Sequence, residues 1–340
     1  MAQPSTFFVT GATGFIGSKL VAELVRRGHA VRALVRRTSS HRDLEGERIA
    51  TVEGDIGDRG SLLRGMEGCS GVFHLAAYAR NWARDPRTFF EVNVEGTRNV
   101  LGAARSAGVE RVVLTSTMVT LGPTPPGTVG DERMARITPR FYTEYEESKT
   151  VAEHEALRMA SEGLPVVVVN PTRVYGPGKL TEGNSVTVMI DLYDRGRFPF
   201  LLAGGVNVGN YAFVDDLVRG HILAMEKGRV GERYILGGEN VSLRGFFDLV
   251  DETTGKRHLR LNMPAWLAIS YGRLQGTSAR WFGRYPLITA GWVETFLQDW
   301  AYSSARAERE LGYTVTPLKE GVSLTCEWLH RRRAKEGAQA

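Results

Sequence analysis

Short runs of apolar residues alternate with amphipathic stretches through the first half of the chain. Runs such as Val166-Val167-Val168-Val169 are apolar throughout, which is typical of strands covered on both faces of a parallel sheet. The pattern predicts strands at residues 6–10, 30–35, 49–53, 71–75, 111–116 and 165–170, separated by helices that include 16–27, 61–66, 94–107 and 144–161. This βαβα order predicts an α/β fold with a doubly wound parallel sheet.

The regular alternation weakens after about Gly176, which predicts a second, smaller domain. Residues 1–175 are expected to form the sheet domain, with residues 208–228 returning to it. Residues 176–207 and 229–330 are expected to form a substrate-binding lobe, because turn-rich pieces and late aromatic side chains occur there. Residues 331–340 are expected to be a basic polar tail that ends a helix and then frays.

Composition and charge exclude several classes of protein. The chain has 340 residues, 42% of them hydrophobic and 24% charged, which is ordinary for a globular protein. Its net charge of +5 is spread along the chain, so we expect no nucleic-acid partner. Cys69 and Cys326 lie far apart, so neither a disulfide framework nor a zinc site is expected. No signal peptide or membrane-spanning run is recognised, and we expect a cytoplasmic protein, with peripheral membrane contact if its substrate is a lipid.

A glycine-rich turn follows the first predicted strand, with the sequence Thr10-Gly11-Ala12-Thr13-Gly14-Phe15-Ile16-Gly17. Gly11 can adopt the dihedral angles of a tight turn, Gly14 lets backbone approach a pyrophosphate, and Gly17 allows close packing of helix and sheet. The N-terminus of the next helix offers free N–H groups to an anion. A strand before the turn and a helix after it therefore indicate a dinucleotide site.

This TGxxGxxG spacing resembles that of the extended short-chain dehydrogenase/reductase superfamily, also called the epimerase/dehydratase family. The resemblance extends over nearly the whole chain. It implies a Rossmann-type sheet with a smaller C-terminal substrate-binding domain, a nicotinamide cofactor and a homodimer. The cofactor contacts it implies in the turn are Gly11, Thr13, Gly14, Phe15, Ile16 and Gly17.

The end of the second predicted strand bears on the choice between NAD(H) and NADP(H). Dinucleotide enzymes that bind NAD place an acidic residue there, whereas this chain has Val35-Arg36-Arg37-Thr38-Ser39. A guanidinium can hold a 2′-phosphate through two charge-assisted hydrogen bonds. Arg36 therefore predicts NADP(H). NAD(H) is the less favoured alternative, in which the two arginines are solvated surface residues.

The resemblance implies further cofactor contacts after the third, fourth and sixth strands. Asp55 and Ile56 would contact the adenine, although Asp55 could instead simply end its strand in a turn. The others would lie beside the ribose and phosphates (Leu75, Ala76 and Ala77) or, through backbone atoms, beside the nicotinamide (Pro171, Thr172, Arg173 and Val174). His74 has no partner that would make a metal site, so we expect a packed strand residue and no metal.

The segment Tyr145-Glu146-Glu147-Ser148-Lys149 places a phenol and an ammonium group on one face of a predicted helix. A neighbouring cation lowers the pKa of a tyrosine and makes it a usable proton donor or acceptor. The family motif after the fifth strand implies that Thr117 is the catalytic hydroxyl and that Ser116 faces the cofactor. We expect Thr117 to hold the substrate oxygen, Tyr145 to transfer its proton, and Lys149 to lower the pKa of Tyr145 and bind the nicotinamide ribose.

The substrate lobe favours an apolar ligand. Sugar-nucleotide epimerases of the family commonly carry an arginine just before the segment that corresponds to Phe213-Val214-Asp215-Asp216, but residues 205–212 contain no basic side chain. Arg273, Arg280 or Arg284 could replace it. Late aromatic residues favour a ring ketone or alcohol of the flavonoid or sterol kind, although each could also belong to the core: Trp266, Trp281, Phe282, Trp292, Phe296 and Trp300.

Residues 231–240 and 305–313 resemble the bacterial dihydroflavonol-4-reductase-like and hopanoid-associated epimerase-like branch, near the 3β-hydroxysteroid dehydrogenases. The leading prediction is therefore an NADP(H)-dependent enzyme that interconverts a ketone and a secondary alcohol on an apolar ring compound. Two alternatives stay open. One is an NAD-dependent sugar-nucleotide epimerase or dehydratase, and the other is a non-catalytic dinucleotide sensor, which the Tyr145–Lys149 pair disfavours.

Overall fold

A seven-stranded parallel sheet organises the fold of the computed structural model, which describes residues 4–40 and 44–339. The strands are β1 (Thr6–Thr10), β2 (Ala30–Val35), β3 (Ile49–Glu53), β4 (Gly71–His74), β5 (Arg111–Thr115), β6 (Val166–Pro171), β7 (Arg173–Tyr175), β8 (Phe200–Leu202), β9 (Val208–Phe213), β10 (Arg233–Leu236), β11 (Glu239–Ser242) and β12 (Leu261–Met263). The sheet has the order β10-β6-β5-β4-β1-β2-β3. Strand order reverses between β1 and β4, where doubly wound sheets bind their ligands. The predicted fold class is confirmed.

The α-helices lie partly on the two faces of this sheet and partly outside it. They are α1 (Phe15–Arg26), α2 (Arg59–Met66), α3 (Arg87–Phe90), α4 (Gly96–Ala107), α5 (Glu144–Ser161), α6 (Ser185–Asp194), α7 (Val214–Lys227), α8 (Leu243–Thr254), α9 (Ala265–Phe282), α10 (Ala290–Phe296), α11 (Ala305–Leu311) and α12 (Leu318–Gln339). Apolar residues of α1, α7 and α11 pack on one face of the sheet, and those of α2, α4 and α5 pack on the other. No helix in these described ranges has the length and hydrophobicity needed to cross a membrane.

A second hydrophobic core lies outside the seven-stranded sheet. It contains apolar side chains of α6, α8 and α12 together with those of β7 and β9. Strands β7 and β9 pair with each other, and β11 completes a three-stranded sheet, while β8 and β12 form a two-stranded one. This region corresponds to the predicted substrate lobe.

Several elements differ from the predicted division of the chain. Strand β10 and helix α11 fall in the range assigned to the substrate lobe, but β10 pairs in parallel with β6 at the edge of the main sheet and α11 packs on one of its faces. Strands β7 and β9 were expected in the sheet domain, but both belong to the three-stranded sheet, whereas α7 packs on the main sheet. The chain therefore passes between the two regions more often than its hydrophobic pattern indicates.

The predicted basic tail is instead the last part of α12, which continues to Gln339. Its Arg333 donates to the buried Asp194 carboxylate at 2.6 Å, and His330 lies 2.9 Å from the same carboxylate. Lys256 contributes a third contact at 2.7 Å. The buried carboxylate needs these cations, and they tie this part of α12 to the end of α6.

Candidate active site

The glycine turn connects β1 to α1 with very little space around it. Gly11 has φ +71°, and a Cβ atom on it would lie 2.7 Å from the backbone of Leu75 and Ala76. A Cβ on Gly17 would lie 2.1 Å from the Gly11 carbonyl oxygen. Gly14 is the N-cap of α1 and has no side chain to cap the helix, so the first-turn N–H groups are available to an anion. The turn has the shape that a pyrophosphate requires.

We expect Gly11→Ala to weaken NADPH binding by about tenfold or more, because the added methyl group must displace the backbone at Leu75 and Ala76. Gly28→Ala is the matched control: Gly28 also has a positive φ, +91°, but a Cβ there meets open space. Both variants should lose about 1–2 kcal/mol of stability from left-handed strain. Calorimetric titration with NADPH and denaturant unfolding separate the two effects, and equal NADPH affinity in both variants would contradict the role of the turn.

Arg36 lies just beyond β2, at the carboxyl edge of the sheet. Its side chain and that of Arg37 are exposed, and neither has a carboxylate partner among residues 4–40 and 44–339. The backbone turns sharply here, with the Ser39 N–H donating to the Arg36 carbonyl at 2.8 Å. A guanidinium without a partner beside the nucleotide turn is available to a phosphate.

The other predicted adenine and ribose contacts also lie along this edge. Asp55 is exposed, and its Oδ1 accepts the Gly57 N–H at 2.9 Å, as in a strand-ending turn, while the contact with adenine stays a prediction. Ile56 is buried, and its carbonyl accepts from Asn99 at 3.1 Å. Leu75, Ala76 and Ala77 remain partly exposed beyond β4.

Thr117, Tyr145 and Lys149 come together where β5 and α5 meet. Thr143 caps α5 by accepting the Glu146 N–H at 3.1 Å, which places Tyr145 in the first turn and Lys149 in the second. The side chain of Thr117 lies near the Tyr145 hydroxyl, where it favours the ionised form of the phenol. The Lys149 ammonium is buried and donates to the Thr115 carbonyl at 2.9 Å. The structure thus brings the three predicted catalytic side chains to one place.

Burial controls the protonation of this group. It raises the pKa of Tyr145 to about 12, and the neighbouring Thr117 side chain offsets only part of that rise. It also lowers the pKa of Lys149 to about 8, against the attraction of the Glu153 carboxylate. The expected lowering of the Tyr145 pKa by Lys149 is not seen, since Thr117 is the group that lowers it and burial has the larger effect. At neutral pH Tyr145 is a phenol that can donate a proton.

The buried Lys149 predicts a pH-dependent stability. Below about pH 8 the folded state holds a desolvated ammonium. Between about pH 8 and pH 10.5 the folded state has released this proton while the unfolded state still keeps it. The free energy of unfolding therefore rises with pH over this range. We therefore expect Lys149→Met to be more stable than the wild type at pH 7, by up to about 3 kcal/mol less the lost hydrogen bond to Thr115. Urea unfolding should show a smaller difference in the free energy of unfolding between Lys149→Met and the wild type at pH 10 than at pH 7. Lys335→Met, at an exposed position, is the control, and a difference independent of pH would contradict this account.

A buried carboxylate, Glu153, lies behind Thr117. It accepts hydrogen bonds from Asn170 and Thr120, both at 2.8 Å, and from Ser116. Asn170 also donates to the Thr117 carbonyl at 3.1 Å, so this network holds the backbone of the catalytic threonine. Ser116, expected to face the cofactor, instead donates to Glu153.

Arg233 of β10 completes this network by pairing with the Glu153 carboxylate at 3.1 Å. The sequence analysis did not identify Glu153 or Arg233. A signal was present for Glu153, which lies four residues after Lys149 and therefore on the same face of α5. None was present for Arg233, since only the pairing of β10 with β6 brings it here.

His74 and Asn93 have structural roles next to the site. The His74 ring lies between the hydroxyls of Thr10 and Thr97, at 2.7 and 3.1 Å. Burial lowers the pKa of His74 to about 3, so it is neutral. Asn93 accepts the Tyr78 N–H at 2.7 Å.

Residues 171–174 run from the end of β6 into β7, and their polar atoms are only partly used. The Thr172 hydroxyl and the Arg173 Nη2 are buried and have no hydrogen-bond partner in the described structure. The Arg173 guanidinium lies 4.2 Å from the centre of the Phe296 ring, and its Nη1 donates to the Tyr211 hydroxyl at 3.3 Å. Arg173 was expected to contribute backbone atoms, and its side chain is buried as well.

The late aromatic residues separate into three groups. Trp300 is fully buried, and its ring N–H donates to the Thr295 carbonyl at 2.7 Å. Trp292 and Phe296 of α10 are partly buried and pack together at 4.3 Å. Trp281 and Phe282 are strongly exposed. Of these residues, Phe296 lies against the Arg173 guanidinium, and Trp281 and Phe282 lie outside the packed interior.

Comparison with known proteins extends these observations. Residues 7–237 match the NAD dependent epimerase/dehydratase family. The chain is 34% identical over 332 residues to a dihydroflavonol 4-reductase-like protein of Synechocystis sp., a match that covers 96% of this chain and 95% of that protein.

Two further proteins similar to this chain have names that describe different reactions. The chain is 31% identical over 327 residues to a 3 beta-hydroxysteroid dehydrogenase/Delta 5→4-isomerase of Mycobacterium tuberculosis, with 90% of this chain and 85% of that protein covered. The crystal structure of Thermus thermophilus UDP-glucose 4-epimerase in complex with NAD superposes with a TM-score of 0.77 at 26% identity, covering 96% of this chain and 99% of that one.

Proposed function

The chain belongs to the NAD dependent epimerase/dehydratase family, and we propose that within it the chain is an NADP(H)-dependent oxidoreductase that interconverts a ketone and a secondary alcohol on an apolar cyclic substrate. It is an enzyme of the short-chain dehydrogenase/reductase type. The observation that carries the proposal is the Tyr145 phenol beside the Thr117 side chain, with the buried Lys149 ammonium one helical turn further along α5.

The residues at the carboxyl edge of the sheet fit the cofactor. The narrow space at Gly11 and Gly17 and the uncapped start of α1 would hold the pyrophosphate. Arg36 would pair with a 2′-phosphate, which supports NADP(H) over NAD(H). The buried Thr172 hydroxyl, which has no partner in the described structure, supports a cofactor or substrate contact at residues 171–174.

The chain's own residues would move the proton of the reaction. When bound, the nicotinamide supplies or accepts the hydride. In the reducing direction the Thr117 hydroxyl would donate to the substrate oxygen and orient it. Tyr145 would then give its proton to that oxygen, and the positive charge of Lys149 would stabilise the phenolate that remains. In the oxidising direction the same groups would act in reverse.

Several observations support an apolar ring substrate with one polar anchor. The names of two relatives describe enzymes for dihydroflavonols and for 3 beta-hydroxysteroids. Residues 205–212 carry no basic side chain that could bind a nucleotide diphosphate. Trp292 and Phe296 would contact the ring, and the free Nη2 of Arg173 would bind a polar oxygen on it.

The epimerase alternative is supported by the likeness to the NAD complex of UDP-glucose 4-epimerase. An epimerase holds NAD⁺ tightly through repeated cycles, whereas a reductase exchanges its cofactor at each turnover. Mass spectrometry of the nucleotide that copurifies, together with a panel of ketones assayed by NADPH absorbance, tests the two. The proposal expects net NADPH consumption with at least one ring ketone. Bound NAD⁺ with no net NADPH consumption would favour the epimerase.

A further inference from the structure

Helix α9 packs with its small residues inward and its large ones outward. Its buried residues are Ala268, Gly272 and Ala279. A Cβ on Gly272 would lie 2.8 Å from the backbone nitrogen of Ala290, so α9 and α10 meet closely through backbone. This is the reverse of an ordinary surface helix, which turns its apolar stripe to the core.

The outward side of α9 and the loop after it carries most of the exposed apolar surface. Of the sixteen large apolar side chains that are strongly exposed in the described ranges, ten lie between residues 259 and 287. Trp281 is 82% exposed, Phe282 76% and Leu287 79%. We call the following set the α9 face: Trp266, Leu267, Tyr271, Arg273, Leu274, Arg280, Trp281, Phe282, Arg284 and Leu287. A concentration of this kind marks an interaction surface.

The charge of this region has one sign. Residues 253–293 contain six lysines and arginines and no aspartate or glutamate, whereas acidic residues slightly outnumber basic ones in the rest of the chain. Lys256 and Arg260 are paired with Asp194, Asp248 and Asp251 outside this segment, so the positive charge that bears on α9 is that of its arginines. Arg273, Arg280 and Arg284 are exposed, and none has a carboxylate partner in the part of the chain that the structure describes.

We propose that the α9 face docks on the surface of an anionic phospholipid bilayer. Exposed Trp, Phe and Leu side chains insert at the boundary between headgroups and acyl chains, and arginines between them pair with lipid phosphates. A second copy of the chain fits less well, because a symmetric contact would bring the arginines of both copies into one interface while residues 253–293 supply no acidic side chain to neutralise them. A nucleic acid would leave the exposed apolar side chains without a partner.

The α9 face is connected to the candidate active site through α10. A Cβ on Gly291 would lie 2.0 Å from the Tyr142 carbonyl oxygen, just before α5 begins. After α9, Tyr285 packs against Trp82 with ring centres 5.7 Å apart. Docking would thus bring the substrate side of the site close to the bilayer. That an apolar substrate enters from the lipid rests on the proposed function, whereas the docking itself does not.

Vesicle flotation of the full chain tests the proposal, with phosphatidylcholine vesicles made with or without phosphatidylglycerol. We expect binding to the anionic vesicles, reduced by salt and accompanied by a blue shift of tryptophan fluorescence. Trp281→Ser with Phe282→Ser should reduce binding about tenfold or more, as should Arg280→Gln with Arg284→Gln. Val206→Ser and Arg133→Gln, at exposed positions outside this face, are the matched controls and should change binding less than about twofold.

Other outcomes would overturn the proposal. These are no binding to either kind of vesicle, or binding that the control substitutions reduce as much as those in the α9 face. A lipid-free dimer that Trp281→Ser with Phe282→Ser converts to a monomer, without vesicle binding, would assign the face to self-association. NADPH binding should be retained in every variant and shows that each is folded. Retained vesicle binding by a chain that reduces no ketone would leave docking standing and reject the proposed function.

Discussion

Tyr145→Phe is expected to lower the turnover of a good ketone substrate by about 10²- to 10⁴-fold while NADPH still binds. The substitution keeps the ring and removes the hydroxyl that lies beside the Thr117 side chain. The cofactor would be held mainly by the glycine turn and Arg36, which the change does not touch. Stopped-flow or steady-state measurement of NADPH oxidation gives the rate, and fluorescence titration gives the cofactor affinity.

Tyr142→Phe provides a matched control for this experiment. Tyr142 lies three residues earlier, just before the N-cap of α5, and is partly buried like Tyr145. Its loss should change turnover less than about twofold. An unchanged rate in Tyr145→Phe would remove Tyr145 from the mechanism, and equal losses in both variants would show that the effect is structural.

Arg36→Ala should weaken NADPH binding by about ten- to hundredfold and leave NADH binding nearly unchanged. A charge-assisted hydrogen bond contributes about 1.5–3 kcal/mol, and NADH has no 2′-phosphate to receive it. Calorimetric titration with both cofactors measures the ratio. Because the guanidinium is exposed and has no carboxylate partner in the described ranges, its removal should leave the free energy of unfolding almost unchanged.

Arg64→Ala is the control for Arg36→Ala, since Arg64 is an exposed arginine on α2. It removes one positive charge and should preserve the preference for NADPH. Equal losses of NADPH and NADH affinity in Arg36→Ala would contradict the assignment of Arg36 to the 2′-phosphate. An unchanged NADPH affinity would mean that another group holds it.

The regular part of the fold is readable from the sequence because local signals agree there with tertiary packing. β1, β2, β3 and α5 have the predicted bounds. Strands β1 and β2 are apolar and lie inside the sheet, β3 forms its edge, and α5 begins after Thr143, a good N-cap. The helix predicted at 94–107 is less accurate, because a π-helical turn at Glu91–Glu95 precedes α4 and shifts its start to Gly96.

The position of β10 could not be read from the sequence. Its four residues resemble any short apolar run, and they pair with β6, which lies far away in the chain. The same long-range pairing brings Arg233 to Glu153, so the buried network behind Thr117 is invisible to local patterns. A charged residue on a helix is ordinarily solvated, and only the tertiary fold shows that Glu153 is buried.

The sequence of helix α9 does not show which of its faces is buried. Its sequence has enough large apolar residues for a core helix, which is why the late aromatics were expected to line the substrate lobe. In the structure the contact with α10 uses Gly272 and Ala268, so the large side chains have no place inside. Small residues can decide which face of a helix is buried, and the larger residues then lie on the opposite, exposed face.

Reduction of a ring ketone with NADPH that carries deuterium on the transferred position of C4 tests whether the protein is a net NADPH-consuming ketone reductase. We expect one NADPH to be consumed for each alcohol formed, with the deuterium on the new carbinol carbon and the label lost from the cofactor. Sugar-nucleotide interconversion at an unchanged level of NADPH, with no deuterated alcohol from any ring ketone, would contradict it.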